Sequence, residues 1–368
     1  MVQTANERLA DEAVRHAIDL DRYGVGVIRR LITILNRADA DLFAQLTAAL
    51  ERLPPESYTV ERLEALLSSV RLLNKQAYDE MGRELGVQLR DLADYEAGYQ
   101  NQLFTNVLPA QVSFASVSVE QVYTAAMSRP FQGRLLSEWA QSIEADRMIR
   151  IRDAVRMGYV EGQTTSQIVQ RIRGTRARGY EDGIIEIDRR HARAVVQTAL
   201  SHMAGVTRDR FYDANGDLIK AVKWLSTLDS RTSEGCRIRD GKEYTVDTHK
   251  PIGHQIPWGA GPGRLHWNCR SASTPVLKSW REMGFDADEM DAGTRAALDG
   301  QVPADTTFAE WIKRQSAARQ DDILGPTRGA LLRRGGLTLD RFYSDKGRYL
   351  TLEELRQRDA EAFRRAGL

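Results

Sequence analysis

The hydrophobic positions of the first hundred residues fall along one helical face. Between 27 and 53 they are Ile28, Leu31, Ile32, Leu35, Leu42, Leu46 and Leu50, a spacing close to a heptad. Pro54 and Pro55 end that run, because proline brings no N–H to a helix interior. Over 59–99 the stripe resumes with Leu63, Leu66, Leu67, Val70, Leu73, Ala77, Met81, Leu89 and Leu92. The pattern predicts two long antiparallel helices whose apolar faces form core. Over 104–117 the period is lost, which predicts a linker or an extended segment.

Helix starts are announced by side chains that can cap. Ser118 with Gln121, Thr164 with Gln167, Thr307 with Glu310 and Thr351 with Glu354 each have capping-box spacing. Helices are expected at 134–158, 166–173 and 188–212, the last with Ala192, Val195, Val196, Ala199, Leu200 and Met203 on one face. The character then changes. Asn215-Gly216 signals a tight turn, and "LIKAVKWLS" (218–226) alternates loosely and reads as a strand. A second turn stands at Asp240-Gly241, and a long Gly/Pro loop runs from 247 to 265. The expected fold is mainly α with a small α+β domain. Three consecutive regions are expected: N-terminal helices (1–117) for docking, an α+β domain (118–280), and a helical tail (281–368).

Composition narrows the function. The 368 residues are 42% hydrophobic and 28% charged, which fits a chain with real cores. The net charge is +1, so nucleic-acid contact would need a local patch. Eleven arginines do cluster between 147 and 193. Among them Arg147, Arg150, Arg171, Arg173, Arg176 and Arg178 are candidates for phosphate contact, against the alternative of an ordinary solvated helix face. No run of eighteen apolar residues is present, so no membrane span is expected. Two cysteines cannot make a disulfide framework.

The chemistry-bearing residues collect late in the α+β stretch. In "GRLHWNCR" (263–270), His266 and Cys269 have metal-ligand spacing, and Cys236 lies upstream. With a fourth ligand, His254 or His249, this set suits tetrahedral zinc; the alternative is two packed thiols beside a hydrogen-bonded histidine. A Cys269–His266 nucleophile pair is the weaker option, since sequence neighbours rarely form one. Asp229-Ser230-Arg231 reads as a capped turn or as an Asp–Arg pair reaching Arg270. The chain has no phosphate-binding loop, dinucleotide fingerprint, HExxH or GxSxG, and so no positive case for an enzyme.

Taken in order, Trp224, Asp229, Arg231, Cys236, Gly241, His266, Cys269 and Arg270 resemble the minor head proteins of tailed bacteriophages, the Mu gpF-like head morphogenesis family. "MGYVEGQTTSQIVQRIRG" (157–174) is similar to the segment that precedes this pattern, and a looser likeness continues through 298–336. One departure stands at 269–271, where Cys-Arg-Ser replaces the family's frequent Cys-Arg-Cys, which weakens the zinc expectation or shifts the fourth ligand to His254, His249 or Asp229. The resemblance implies a structural, non-enzymatic protein of the virion, inside the capsid near the portal and in the host cytoplasm during assembly. It implies portal protein, major capsid or scaffold protein and packaged double-stranded DNA as partners. The competing expectation is a zinc-dependent nuclease or hydrolase built on the His/Cys loop.

Overall fold

The computed structural model describes residues 4–52, 59–108, 112–279, 281–283, 294–297, 300–303 and 305–368. Two helices open the chain, α1 (Ala5–Glu51) and α2 (Val60–Val107). Each rises about 70 Å at ~1.5 Å per residue. They are followed by α3 (Val119–Ser128), α4 (Leu136–Val160), α5 (Thr165–Arg173) and α6 (Ile184–Ala214). Helix α2 runs four residues into the stretch expected to be linker, and Phe104 explains why: its ring is fully buried against Phe211 at 4.8 Å. The Pro54-Pro55 stop lies outside the described residues, between α1 and α2.

The four capping boxes form as the spacing requires. Ser118 accepts from Gln121 N–H, Thr164 from Gln167, Thr307 from Glu310 and Thr351 from Glu354, at 3.2–3.3 Å. In each, the glutamine or glutamate carboxamide or carboxylate reaches back to the cap's own N–H. These bonds satisfy donors that a helix start leaves open.

After α6 come β1 (Ile219–Leu225), the short α7 (Glu234–Arg237), β2 (Glu243–Tyr244), β3 (Pro251–Ile252) and β4 (Ala272–Leu277). They form an antiparallel sheet in the order β3-β2-β1-β4. Pro275 pairs opposite Val222 in β4, which is tolerated because β4 is an edge strand. A hairpin of β5 (Thr294–Ala297) and β6 (Gly300–Pro303) precedes helices α8 (Phe308–Arg314), α9 (Ala317–Leu324), α10 (Pro326–Arg333), α11 (Leu352–Arg358) and α12 (Ala360–Ala366). The fold is mainly α with one small α+β region.

The chain gathers into two compact units that cut across the three consecutive regions expected from the sequence. The first takes 1–21, 93–122 and 201–368; the second takes 22–92 and 123–200. Packing runs across positions 117 and 280. Within the first unit Leu9, Leu103, Phe104 and Leu108 share one core with Phe211, Trp224, Tyr244 and Trp258. The Leu277 N–H donates to Asn6 Oδ1 at 2.8 Å, so the chain's start covers the β4 edge. The C-terminal helices are no detached tail either. Phe308, Trp311, Leu331 and Phe342 enclose Leu228, Ile238 and Ile256 from the α+β region.

The second unit buries Leu42, Leu46, Leu50, Leu63, Leu67 and Val70 with Ile151, Val155, Ile168 and Ile172. Its apolar stripe is interrupted at Asp39, which lies on the same face as Leu35 and Leu42. Asp39 is buried there between the guanidinium groups of Arg147 and Arg189, the latter at 2.7 Å. Asn74 is likewise buried on α2 and donates to Glu144 Oε1 at 2.9 Å.

Candidate functional site

Strand β1 and the turn after it build a clasp within the first unit. Trp224 is fully buried, with its ring edge-on to Trp258 at 5.2 Å, and its indole N–H donates to Ser226 Oγ at 3.1 Å. The Ser226 hydroxyl donates in turn to the Cys236 carbonyl at 2.9 Å. Asp240 holds two elements at once: one oxygen accepts Ser226 N–H at 2.6 Å and the other accepts Phe308 N–H at 2.8 Å. Gly241 then turns back with φ +77°, a region costly to side chains, and donates to the Trp224 carbonyl at 2.9 Å.

Asp229 is the hub of the turn. Its carboxylate accepts the Arg231 N–H at 3.0 Å and the Thr232 hydroxyl at 3.1 Å. The Arg270 guanidinium binds it with two bonds, at 2.7 and 2.8 Å. This fork holds the Asp229 carboxyl below the usual carboxylate range, against the burial that opposes ionisation. Arg231 contributes its backbone; its side chain is exposed and stands 3.9 Å from Asp229.

Beside the fork, Cys236, His266 and Cys269 converge, with all three donor atoms within 4.8 Å of one another. Cys236 sits on α7, which Ser233 caps, and Cys269 follows Asn268, whose φ of +56° closes a tight turn. Asparagine adopts that conformation at modest cost. The sulfurs are 3.6 Å apart, and Cys236 Sγ is 3.4 Å from His266 Nε2. His266 Nδ1 lies 2.9 Å from the Trp267 carbonyl oxygen. A carbonyl only accepts, so Nδ1 carries the proton and Nε2 faces the sulfurs. Both thiols are buried. The hydrogen bond from Cys236 and then the adjacent His266 hold Cys269 well below the usual thiol range. Cys236 is pushed up by its hydrogen bond with Cys269 and by burial. His266 is pushed up chiefly by its hydrogen bond to Cys269.

The spacing fits a tetrahedral ion. With Zn–S near 2.3 Å and Zn–N near 2.05 Å, the edges of a tetrahedron are about 3.8 Å for S···S and about 3.6 Å for S···N. The observed 3.6 and 3.4 Å fall close to both. Two hydroxyls flank the group. Ser233 Oγ is 2.7 Å from His266 Nε2, and Ser271 Oγ donates to Ser226 Oγ at 3.5 Å.

The structure does not bring His254 or His249 into this group. His254 Nε2 bonds the Glu243 carbonyl at 2.9 Å while Nδ1 accepts the Ile256 N–H at 3.1 Å, so both nitrogens serve the loop backbone. His249 stacks on Trp258 at 4.5 Å. The arginines named from the sequence separate as well. Arg147 is 2% exposed and bound to Asp39, so it lies in the interior and reaches no phosphate. Arg150 pairs with Asp188 at 2.8 Å and Arg171 with Glu161 at 2.5 Å, whereas Arg173, Arg176 and Arg178 are exposed. Sequence reasoning missed Ser233, Ser226, Asp240 and Asp39. Ser233 was readable as the cap three residues before Cys236, and Asp39 as the one carboxylate on an apolar stripe. Asp240 was not, because its partner Phe308 is 68 residues away.

Residues 149–274 match the model of one protein family, described as Phage Mu protein F like protein. The resemblance drawn from the Trp224-to-Arg270 pattern therefore holds over this stretch, and that family is one of structural proteins in phage head morphogenesis. No curated protein and no solved structure matches the chain. Among the described residues, no helix is long and apolar enough to cross a membrane.

Proposed function

From a chain that carries a Phage Mu protein F like region at 149–274, we propose a minor structural protein of a tailed-phage head that sits inside the capsid against the portal and aids head assembly and DNA packaging or ejection. Portal protein is its first partner, with major capsid or scaffold protein and packaged double-stranded DNA as further ones. The family match carries this reading. The clasp agrees with it, since its polar groups are spent on one another and on backbone rather than aimed at an open cleft. Mass spectrometry of purified proheads and virions tests it: the protein is expected in both, and co-purifies with portal protein. Absence from both particles would refute the reading.

Within this function the Cys236–His266–Cys269 group is read as a zinc clip. Zinc would supply the positive charge that lets two buried sulfurs and an imidazole share one space, and so lock α7 to the turn before β4. Ser271 or water would complete the set, because the Cys-Arg-Ser sequence withholds a fourth soft ligand. The nuclease reading draws on one observation, that three donors leave a fourth position, as in catalytic zinc sites. The group contains no carboxylate to act as general base. Incubating the purified protein with duplex DNA and several divalent metals separates the two. Intact DNA is expected, and metal-dependent cleavage abolished by His266→Ala would favour the hydrolase.

A further inference from the structure

Cys236 and Cys269 are the only two cysteines in the chain, and the fold sets them face to face. Their sulfurs stand 3.6 Å apart although 33 positions separate them in sequence. A disulfide bond is about 2.05 Å long, so the gap to close is about 1.5 Å, which rotation of two side chains can supply. Each side of the pair is held separately. Ser226 Oγ donates to the Cys236 carbonyl at 2.9 Å, and Arg239 donates to the Gly235 carbonyl at 2.6 Å and the Pro257 carbonyl at 2.9 Å. Opposite, the Cys269 N–H donates to the His266 carbonyl at 3.2 Å, and Arg270 is forked onto Asp229. The fold itself presents one thiol to the other.

The surroundings suit oxidation as well as approach. His266 Nδ1 donates to the Trp267 carbonyl, so Nε2, 3.4 Å from Cys236 Sγ, is free to accept a thiol proton. Both sulfurs are buried, but His266 and the Ser233 bonded to it are partly exposed. Solvent therefore stands one side chain away, within reach of an oxidant the size of water.

We propose that Cys236 and Cys269 are a reversible redox pair, joined as an intramolecular disulfide when the chain meets a peroxide and parted again by a thiol reductant. One sulfur attacks a peroxide oxygen: the S–O bond forms, the O–O bond breaks, and hydroxide leaves as water with that thiol's proton. The second sulfur then displaces the sulfenic oxygen: the S–S bond forms, the S–O bond breaks, and a second water leaves with the proton passed through His266 Nε2. In sum two thiols are oxidised to one disulfide, and one peroxide is reduced to two waters. The clasp then has two locks that exclude each other, because joined sulfurs carry no charge for an ion. Thiols persist in a reducing cytoplasm, and a released particle meets oxidising surroundings. The inference rests on the function read above only for that change of surroundings; the chemistry belongs to the chain.

The test uses the purified full chain, reduced, freed of metal with a chelator, exchanged into plain buffer and then treated with hydrogen peroxide. Alkylation in urea is expected to label two cysteines before treatment and none after. Intact mass should fall by two hydrogens, a digest should contain the 236–269 cross-linked peptide, and dithiothreitol should restore both thiols. The oxidised chain should take up no zinc and should unfold at higher urea than the reduced, metal-free chain, because the cross-link constrains the unfolded state. Two labelled thiols after peroxide, added oxygen without a cross-link, covalent dimers, or a lower urea midpoint would each overturn the proposal. Zinc content of the reduced chain and presence in heads are separate readouts, so failure here is distinguishable from failure of the function proposed above.

Discussion

Two buried polar clusters, one in each compact unit, solve opposite problems. In the second unit Asp39 is met by Arg147 and Arg189, and Asp188 by Arg150. Opposite charges arrive with the fold, and the cluster is complete without a guest. In the first unit the Asp229–Arg270 fork is complete in the same way. Beside it Cys236, His266 and Cys269 bring three possible ligand atoms within 4.8 Å of one another, the group proposed above to close around zinc. Burial alone therefore says little about a polar cluster's role. The sign of what its members present to one another separates a structural ion pair from a binding site.

The comparison breaks most sharply at Asp39. Asp39→Ala leaves two guanidinium groups facing each other, Arg147 in the interior, and is expected to cost about 3–5 kcal/mol in urea unfolding. A loss under about 1 kcal/mol would mean that solvent reaches the cluster. For the clip, removing zinc from loaded protein with a strong chelator is expected to lower stability by about 4 kcal/mol, relative to free zinc a thousandfold above its Kd. Cys269→Ser should bind no zinc in elemental analysis and show no response to chelator. A wild-type melting curve indifferent to chelator would leave the group as packed thiols. Ser271→Cys sharpens the same point, since a third sulfur beside Cys236 and Cys269 should tighten zinc in competition with a chromophoric chelator.

Acid distinguishes the clusters next. Burial raises the Asp188 carboxyl from its ordinary 3.8 to about 6, outweighing the pull of Arg147 and Arg150. The folded state therefore holds this proton more tightly than the unfolded one. The stability that results is fully present below about pH 4 and is lost as pH rises through about 6. Urea midpoints of the wild type, measured from pH 4 to 7, should carry this fall, and Asp188→Asn should lose it. Asp229 has the opposite sign. Its carboxyl is held down by Arg270, so its contribution exists above about pH 4 and fades as pH drops. The smallest effect is expected at a cap: Thr307→Ala should cost about 1 kcal/mol, read by the same unfolding curves.

How much of this was legible in the sequence depended on range. Caps and stripes were readable because their partners lie within four residues, and all four capping boxes form. The strand around Trp224 was visible by alternation, but β4 was not, since Pro275 argues against a strand until its edge position is known. The Cys236–His266–Cys269 spacing suggested a cluster, whereas the detachment of His254 from it depended on two backbone groups of its own loop. Domain limits were least legible. Helices α1, α2 and α6 each contribute residues to both units, and periodicity does not say which core a given turn will join.

That interleaving sets an order of events during synthesis. Every residue of the second unit has been made by position 200, so its core can close while the ribosome is still working. Leu9 must wait for Trp224, and Asn6 for Leu277. At about 5–20 residues per second, the gap between Leu9 and Trp224 is roughly 10–40 s. For that time the first turns of the chain can meet Leu103, Phe104 and Leu108 but not the sheet that completes their core, and the half of the protein begun first is finished last.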